Sequence, residues 1–154
     1  LGRKMNIGYY TRSLGLTELN GKVFEFLNRA VENNEVDSSS IFYDDIDFNP
    51  MPMKSGAFNS TDVWYFTGFL LVSGLKQANA IKKIINKFQC CYVYDGDKQN
   101  LLRLIDVFKN MDFIVTNKED FDYIYRVCGN KPYLLEEFTI DKIKEISNEQ
   151  NQAV

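Results

Sequence analysis

The stretch "YYTRSLGLTELNGKVF" (9–24) decides the fold. It joins an apolar run, "NIGYYT" (6–11), to a segment with helical spacing, and one glycine stands in the join. Leu19, Val23, Phe26, Leu27, Ala30 and Val31 recur at three- and four-residue steps, the apolar face of a helix. Thr17 suits the N-cap, and Glu18 in the first turn complements the positive end of the helix dipole. The segment is therefore a strand, a loop and a helix. The loop is either a small-molecule cradle or a plain joint, and its residues leave both readings open.

The same alternation continues. "SIFYDDI" (40–46) reads as a second strand, "DVWYFTG" (62–68) as a third and "FQCCYVYDGD" (88–97) as a fourth. "MDFIVTN" (111–117) reads as a fifth and "KPYLLEEF" (131–138) as a shorter sixth. Helical faces separate the later runs: Leu75, Ala78, Ile81, Ile85 and Phe88; then Leu101, Leu104, Ile105 and Phe108; then Phe121, Ile124 and Tyr125, stopping near Gly129. Thr139 is placed to cap a last helix with Ile140, Ile143 and Ile146 inward. Between strands two and three, Pro50 and Pro52 exclude a regular helix, so that crossover is expected to be irregular and exposed.

Strands alternating with helices predict an α/β fold: one doubly wound, mostly parallel sheet of about six strands, helices on both faces. The expected order is 3-2-1-4-5-6, or 2-1-3-4-5 if the chain is flavodoxin-like. At 154 residues, with 45% hydrophobic and 14% aromatic content, the length suits a single domain over about 5–147. Leu1 to Lys4, ahead of Met5, are expected to be an added leader, and the polar 148–154 a loose tail.

Composition narrows the chemistry. A net charge of −3 offers no general attraction to nucleic acid, and Lys82, Lys83 and Lys87 on one helix read as a solvated face. There is no histidine, which removes Ser-His-Asp and Cys-His catalysis and leaves carboxylates, tyrosines or lysines as bases. Cys90, Cys91 and Cys128 lack metal-ligand spacing, so no metal site is expected. They read as thiols of a reducing compartment. No apolar stretch is long enough to cross a bilayer, and the chain is expected to be soluble and cytoplasmic.

In a doubly wound sheet, ligands bind beyond the carboxyl ends of the strands, where the winding reverses. That rule selects Thr11, Arg12, Ser13, Gly15 and Thr17 after strand one, Thr67 and Gly68 after strand three, and Asp95 to Asp97 after strand four. It adds Thr116 and Asn117 after strand five and Glu136 and Glu137 near strand six. The dinucleotide fingerprint and the P-loop are both absent, since one glycine stands alone in the first turn. In "YDGD", Asp95 and Asp97 are either paired carboxylates able to hold a hydroxyl or take its proton, or ordinary turn and cap residues. The run "YDDID" (43–47) reads as a solvated strand end, and Trp64 and Phe66 as core or pocket wall.

The start "MNIGYYTRSLGLTELNGKVFEFLNRAVEN", with "DVWYFTG", "CCYVYDGD" and "FKNMDFIVTNKEDFDYI", resembles the N-terminal Rossmann-like domain of GT-B type glycosyltransferases. The resemblance spans about Met5 to Ile146 and lies in pattern and order. It implies that Gly15 and its neighbours line a cleft, and that Asp95 or Asp97 stands where the family keeps an acceptor-binding or basic residue. A sugar nucleotide or an acceptor is the implied ligand. In that family the donor nucleotide is held mainly by a C-terminal domain, so a second domain or a second copy is the implied partner. No cofactor is specified.

Two other readings remain. A flavodoxin-like FMN binder would use Thr11, Ser13 and Thr17 on the phosphate and Trp64 or Tyr94 near the ring. A non-catalytic interaction module, including a homodimeric one, would use aromatics such as Tyr9, Tyr10, Tyr43, Phe58, Tyr123 and Tyr125.

Overall fold

The computed structural model describes residues 4–84 and 88–152. Ile85, expected on a helical face, and Lys87 of the basic cluster lie outside these, as do Leu1 to Arg3 of the expected leader and Ala153 and Val154 of the expected tail.

Strand β1 (Met5–Ser13) runs into α1 (Glu18–Glu32), then β2 (Val36–Asp45), β3 (Gly56–Asn59) and a 3-10 helix (Ser60–Tyr65). Next come β4 (Gly68–Val72), α2 (Leu75–Ile81), β5 (Phe88–Val93), α3 (Leu101–Asn110) and β6 (Asp112–Val115). The chain closes with α4 (Lys118–Cys128), β7 (Tyr133–Leu134) and α5 (Ile140–Gln152). The strands form one sheet, β3-β2-β1-β4-β5-β6-β7, and every pairing is parallel. This is the expected 3-2-1-4-5-6 order with one further strand.

The joint at 9–24 folds as its pattern requires. Ile7 and Tyr9 point to one face of the sheet and Tyr10 to the other. Thr17 Oγ1 accepts from Asn20 N at 3.1 Å, which satisfies one of the free amides opening α1. Val23, Phe24, Leu27 and Ala30 then pack with Ile140, Ile143 and Ile146 of α5 on the first face. Ala78, Ile81, Leu104, Val107 and Ile124 of α2, α3 and α4 cover the second. Because α1 leaves β1 toward one face and α2 leaves β4 toward the other, a crevice opens above the carboxyl ends of these adjacent strands.

Several expectations are corrected. The third strand is not 62–68. Asn59 Oδ1 accepts from Thr61 N at 3.1 Å and starts a 3-10 helix, so Asp62 to Tyr65 never extend. The strand beside β1 is Gly68–Val72, whose "FLLV" is buried on both faces, as a central parallel strand must be. Only glycine enters it: φ at Gly68 is +138°, and an added Cβ would lie 2.4 Å from Asn6 O. The crossover thought irregular contains β3, an exposed edge strand beyond β2. Phe88 opens β5 and does not close a helical face.

The tail is likewise not loose through residue 152. Gln150 Nε2 donates to Asp112 Oδ2 at 3.0 Å, and Gln89 Nε2 donates to Ser147 O at 2.9 Å, tying the polar last turns of α5 to the amino ends of β5 and β6. Phe66 is core, whereas Trp64 is 47% exposed. Tyr9 and Tyr10, proposed as contact aromatics, are buried, while Phe58 and Tyr125 remain exposed.

Candidate functional site

The crevice at the switch point holds a cleft of about 530 Å³. Thr11, Arg12 and Ser13 of β1, Thr17, Glu18 and Asn20 around the start of α1, and Ser73, Lys76 and Gln77 around the start of α2 line it. Asp95, Asp97, Asn100 and Arg103 complete it from the β5–α3 side. A smaller recess of about 140 Å³ continues toward β6, lined by Lys22, Tyr94, Thr116, Asn117 and Asp120 and sharing Glu18, Leu19 and Asp95 with the cleft.

Beneath the cleft floor is a buried polar knot. The Tyr9 hydroxyl donates to Asn20 Oδ1 at 2.7 Å and lies 2.9 Å from Ser73 Oγ. Thr11 donates to the same Asn20 oxygen at 3.1 Å. Asn20 Nδ2 donates to Ser13 O at 2.9 Å and to Gly15 O at 2.8 Å, so one side chain sets the path of the whole first loop. Burial strips water from the Tyr9 phenol and pushes its pKa up to about 12, which leaves it a neutral structural donor.

The first loop is filled from within. Ser13 Oγ donates to Asp47 and accepts from Gly15 N at 2.9 Å, and an added Cβ on Gly15 would meet Asp47 Cβ at 3.0 Å. A carboxylate of the chain itself thus occupies the corner where a loop-bound phosphate would sit. The acidic run at the end of β2 is not simply solvated: Asp44 accepts from Tyr10 and from Gln77 Nε2, and Asp45 pairs with Arg12 at 3.3 Å.

The two predicted catalytic carboxylates have diverged. Asp97 accepts from Gln99 N at 2.8 Å and from Asn100 Nδ2 at 3.0 Å. These bonds, Asn100 foremost, hold its carboxyl below the usual range, so it is a weak base that shapes the turn. Asp95 uses one oxygen to accept from Asp97 N at 3.0 Å and stands at the wall common to cleft and recess.

Of the residues selected from sequence, Thr11, Arg12, Ser13, Thr17, Asp95 and Asp97 come together in the cleft, and Thr116 and Asn117 in the recess. Gly15 is loop scaffold. Thr67 and Gly68 stand at the amino end of β4, on the opposite edge of the sheet, where Thr67 borders a separate depression with Phe58 and Tyr65. Glu136 and Glu137 flank another small depression with Lys22 and Arg29. Sequence reasoning missed Asn20, Ser73, Lys76, Gln77, Arg103 and Asp120. Asn20 carried a signal, a polar residue beside Leu19 and Val23 on an apolar helical face. Ser73 and its followers would have appeared once the strand was set at 68–72.

Among the described residues no group of three cysteines or carboxylates is placed to hold a metal ion, and no helix is long and apolar enough to cross a membrane. No protein-family model, curated protein or solved structure matches the chain.

Proposed function

We propose that this is a glycosyltransferase-like domain that binds a sugar nucleotide or a sugar acceptor in the switch-point cleft. The observation that supports it is the lining: carboxylates, carboxamides, hydroxyls and cations from three strand-to-helix connections converge on a cavity of 530 Å³ at the carboxyl edge. Such a lining offers hydrogen bonds of both senses to a polyhydroxylated ligand. In this reading Asp95 accepts a hydrogen bond from the attacking hydroxyl. It takes the proton as oxygen bonds to the anomeric carbon, while the nucleoside diphosphate departs with the electrons of the broken bond. The three free thiols fit a reducing, cytoplasmic setting.

The test is a thermal-shift panel of UDP- and GDP-sugars and free oligosaccharides. Ligand at 100 times its dissociation constant adds about 2.7 kcal/mol and raises Tm visibly. A flat response to every member overturns the reading. FMN is the control ligand, because the Thr11 and Ser13 hydroxyls that its phosphate would require are already engaged.

A second reading, an interaction module that keeps the fold without chemistry, is favoured by exposed apolar side chains on the loop after β2 and in the first turn of α3. Ile46 is 70% exposed, Phe48 85% and Leu102 83%. Light scattering across concentrations decides whether a homodimer accounts for them, and a strict monomer removes that version.

A further inference from the structure

The sheet ends in an open strand. β3 (Gly56–Asn59) pairs with β2 along one side only, and all four of its residues are exposed. Its register with β2 runs without a bulge, and it holds no lysine or proline, the features that blunt a free edge. No backbone bond from outside the sheet reaches it among the described residues. The amides and carbonyls on its outer side are a template for one more extended strand.

A depression of about 370 Å³ lies beside this strand. Its walls include Phe42 and Phe66 of the second core, together with Phe58 and Tyr65, which are 43% and 85% exposed. The Phe58 ring stands 6.1 Å from that of Phe42 and folds over Gly56, where an added Cβ would meet it at 2.9 Å. That ring is the sill between the free strand and the depression. Asp62 is the one charged residue of the lining, and it makes no ion pair among the described residues.

Elsewhere the chain lays its own cations on the rings of its surface. Lys131 stands 5.8 Å from the centre of the Tyr125 ring, and Lys98 stands 5.1 Å from that of Tyr123. Phe58 and Tyr65 have no such neighbour among the described residues. Uncovered ring faces beside a lone carboxylate attract a cation and repel an anion.

We infer that β3 takes up an extended segment of a protein partner along its free side, with a lysine or arginine of that segment laid over Phe58 and Tyr65 and its charge toward Asp62. Alternate side chains of an added strand share the face of Phe58, about 5 Å from it. The long stem of a lysine or arginine covers an aromatic ring while its charged head stays in water. Main-chain bonds supply the affinity, and the depression selects the side chain. The surface lies toward the amino ends of β1 and β4, away from the cleft, so its test is independent of the sugar reading.

Heptapeptide pools test it, each with Arg, Lys, Gln or Glu fixed at the centre and degenerate Val, Thr and Ser flanks that favour extended backbone. They are titrated into the full chain and followed by NMR. The Arg and Lys pools are expected to bind at least about fivefold more tightly than the Gln pool, and the Glu pool more weakly still, with differences that shrink as salt rises. Amide exchange at 56–59 slows on binding, and N-methylation of the peptide backbone abolishes the effect. Asp62→Asn, an exposed change whose circular dichroism is expected to match the parent, brings the Arg and Lys pools down toward the Gln pool. The inference is overturned by an absence of binding in every pool up to about 1 mM, or by binding with no preference for a cation. It is equally overturned by a preference undiminished in Asp62→Asn, or by binding that leaves 56–59 unprotected. Protection of 56–59 in the chain alone that grows with its concentration assigns β3 to a second copy and overturns it as well.

Discussion

At the residue scale, single side chains carry the site's geometry. Asn20 bonds to Tyr9, Thr11, Ser13 O and Gly15 O. Asn20→Ala takes the side-chain donor from the Ser13 and Gly15 carbonyls and the acceptor from Thr11, while Tyr9 keeps Ser73, and a cost of about 2–4 kcal/mol is expected, read as a lower denaturation midpoint at unchanged m-value. Gly68→Ala demands a φ that L-residues rarely adopt and a Cβ on top of Asn6 O. A loss of about 2–4 kcal/mol follows, by the same measurement. In the proposed transfer, Asp95→Asn lowers the rate by about 100-fold or more. Asp97→Asn, whose parent carboxyl is a weak base held by Asn100 and Gln99, lowers it less than tenfold. Equal losses would return Asp97 to the catalytic role.

At the element scale, the lesson lies in the fragments that misread. "DVWYFTG" has more β-branched and aromatic character than "GFLLV", yet only the latter is a strand. Propensity yields here to a local cap at Asn59 and to the need for glycine where the chain passes Asn6. The end of α5 illustrates the reverse. Its polar last turns carry no apolar stripe, but Ser147 and Gln150 bond to Gln89, Cys90 O and Asp112 across the sheet's amino edge. Gln150→Ala is expected to cost about 1 kcal/mol and to increase amide exchange in the final turn of α5, followed by hydrogen-exchange mass spectrometry. Unchanged protection would mean that the turn is held by other contacts.

At the scale of the whole molecule, buried and bonded titratable groups set the pH range of stability. Burial raises the Asp44 carboxyl, but bonds from Ser60, Gln77 and Tyr10 outweigh it and leave its pKa lowered. A depressed carboxyl stabilises the fold above its unfolded pKa, and that contribution is lost as pH falls through the folded value, so stability declines below about pH 4. Burial raises Tyr9, Tyr10 and Cys90 to about 12. For these acids the folded state favours the neutral form, fully so below the unfolded pKa. Stability is lost as pH rises from about 9 for the thiol and about 10 for the phenols toward the folded values. Chemical denaturation across pH is expected to show a plateau between these limits. Tyrosinate absorbance should rise together with alkaline unfolding, and full ionisation near pH 10 in a folded chain would contradict the burial of Tyr9.

The sequence by itself determined the α/β class, the switch after β1, the caps at Thr17 and Thr139 and the loops that supply Thr11, Arg12, Ser13, Asp95 and Asn117. These are written in near neighbours: period, cap spacing and turn chemistry act over a few residues. The tertiary structure alone decided that 68–72 is the strand beside β1, that β3 extends the edge, and that Thr67 and Gly68 face away from the cleft. It also decided that Ser73, Lys76, Arg103 and Asp120 meet Asp95, and that Asp47 fills the first loop. Parallel strands pair across long crossovers, so no local pattern states which segment lies beside which. A cleft built from three loops, with a recess that adds a fourth, inherits that dependence, because each lining residue is set by the pairing of its strand.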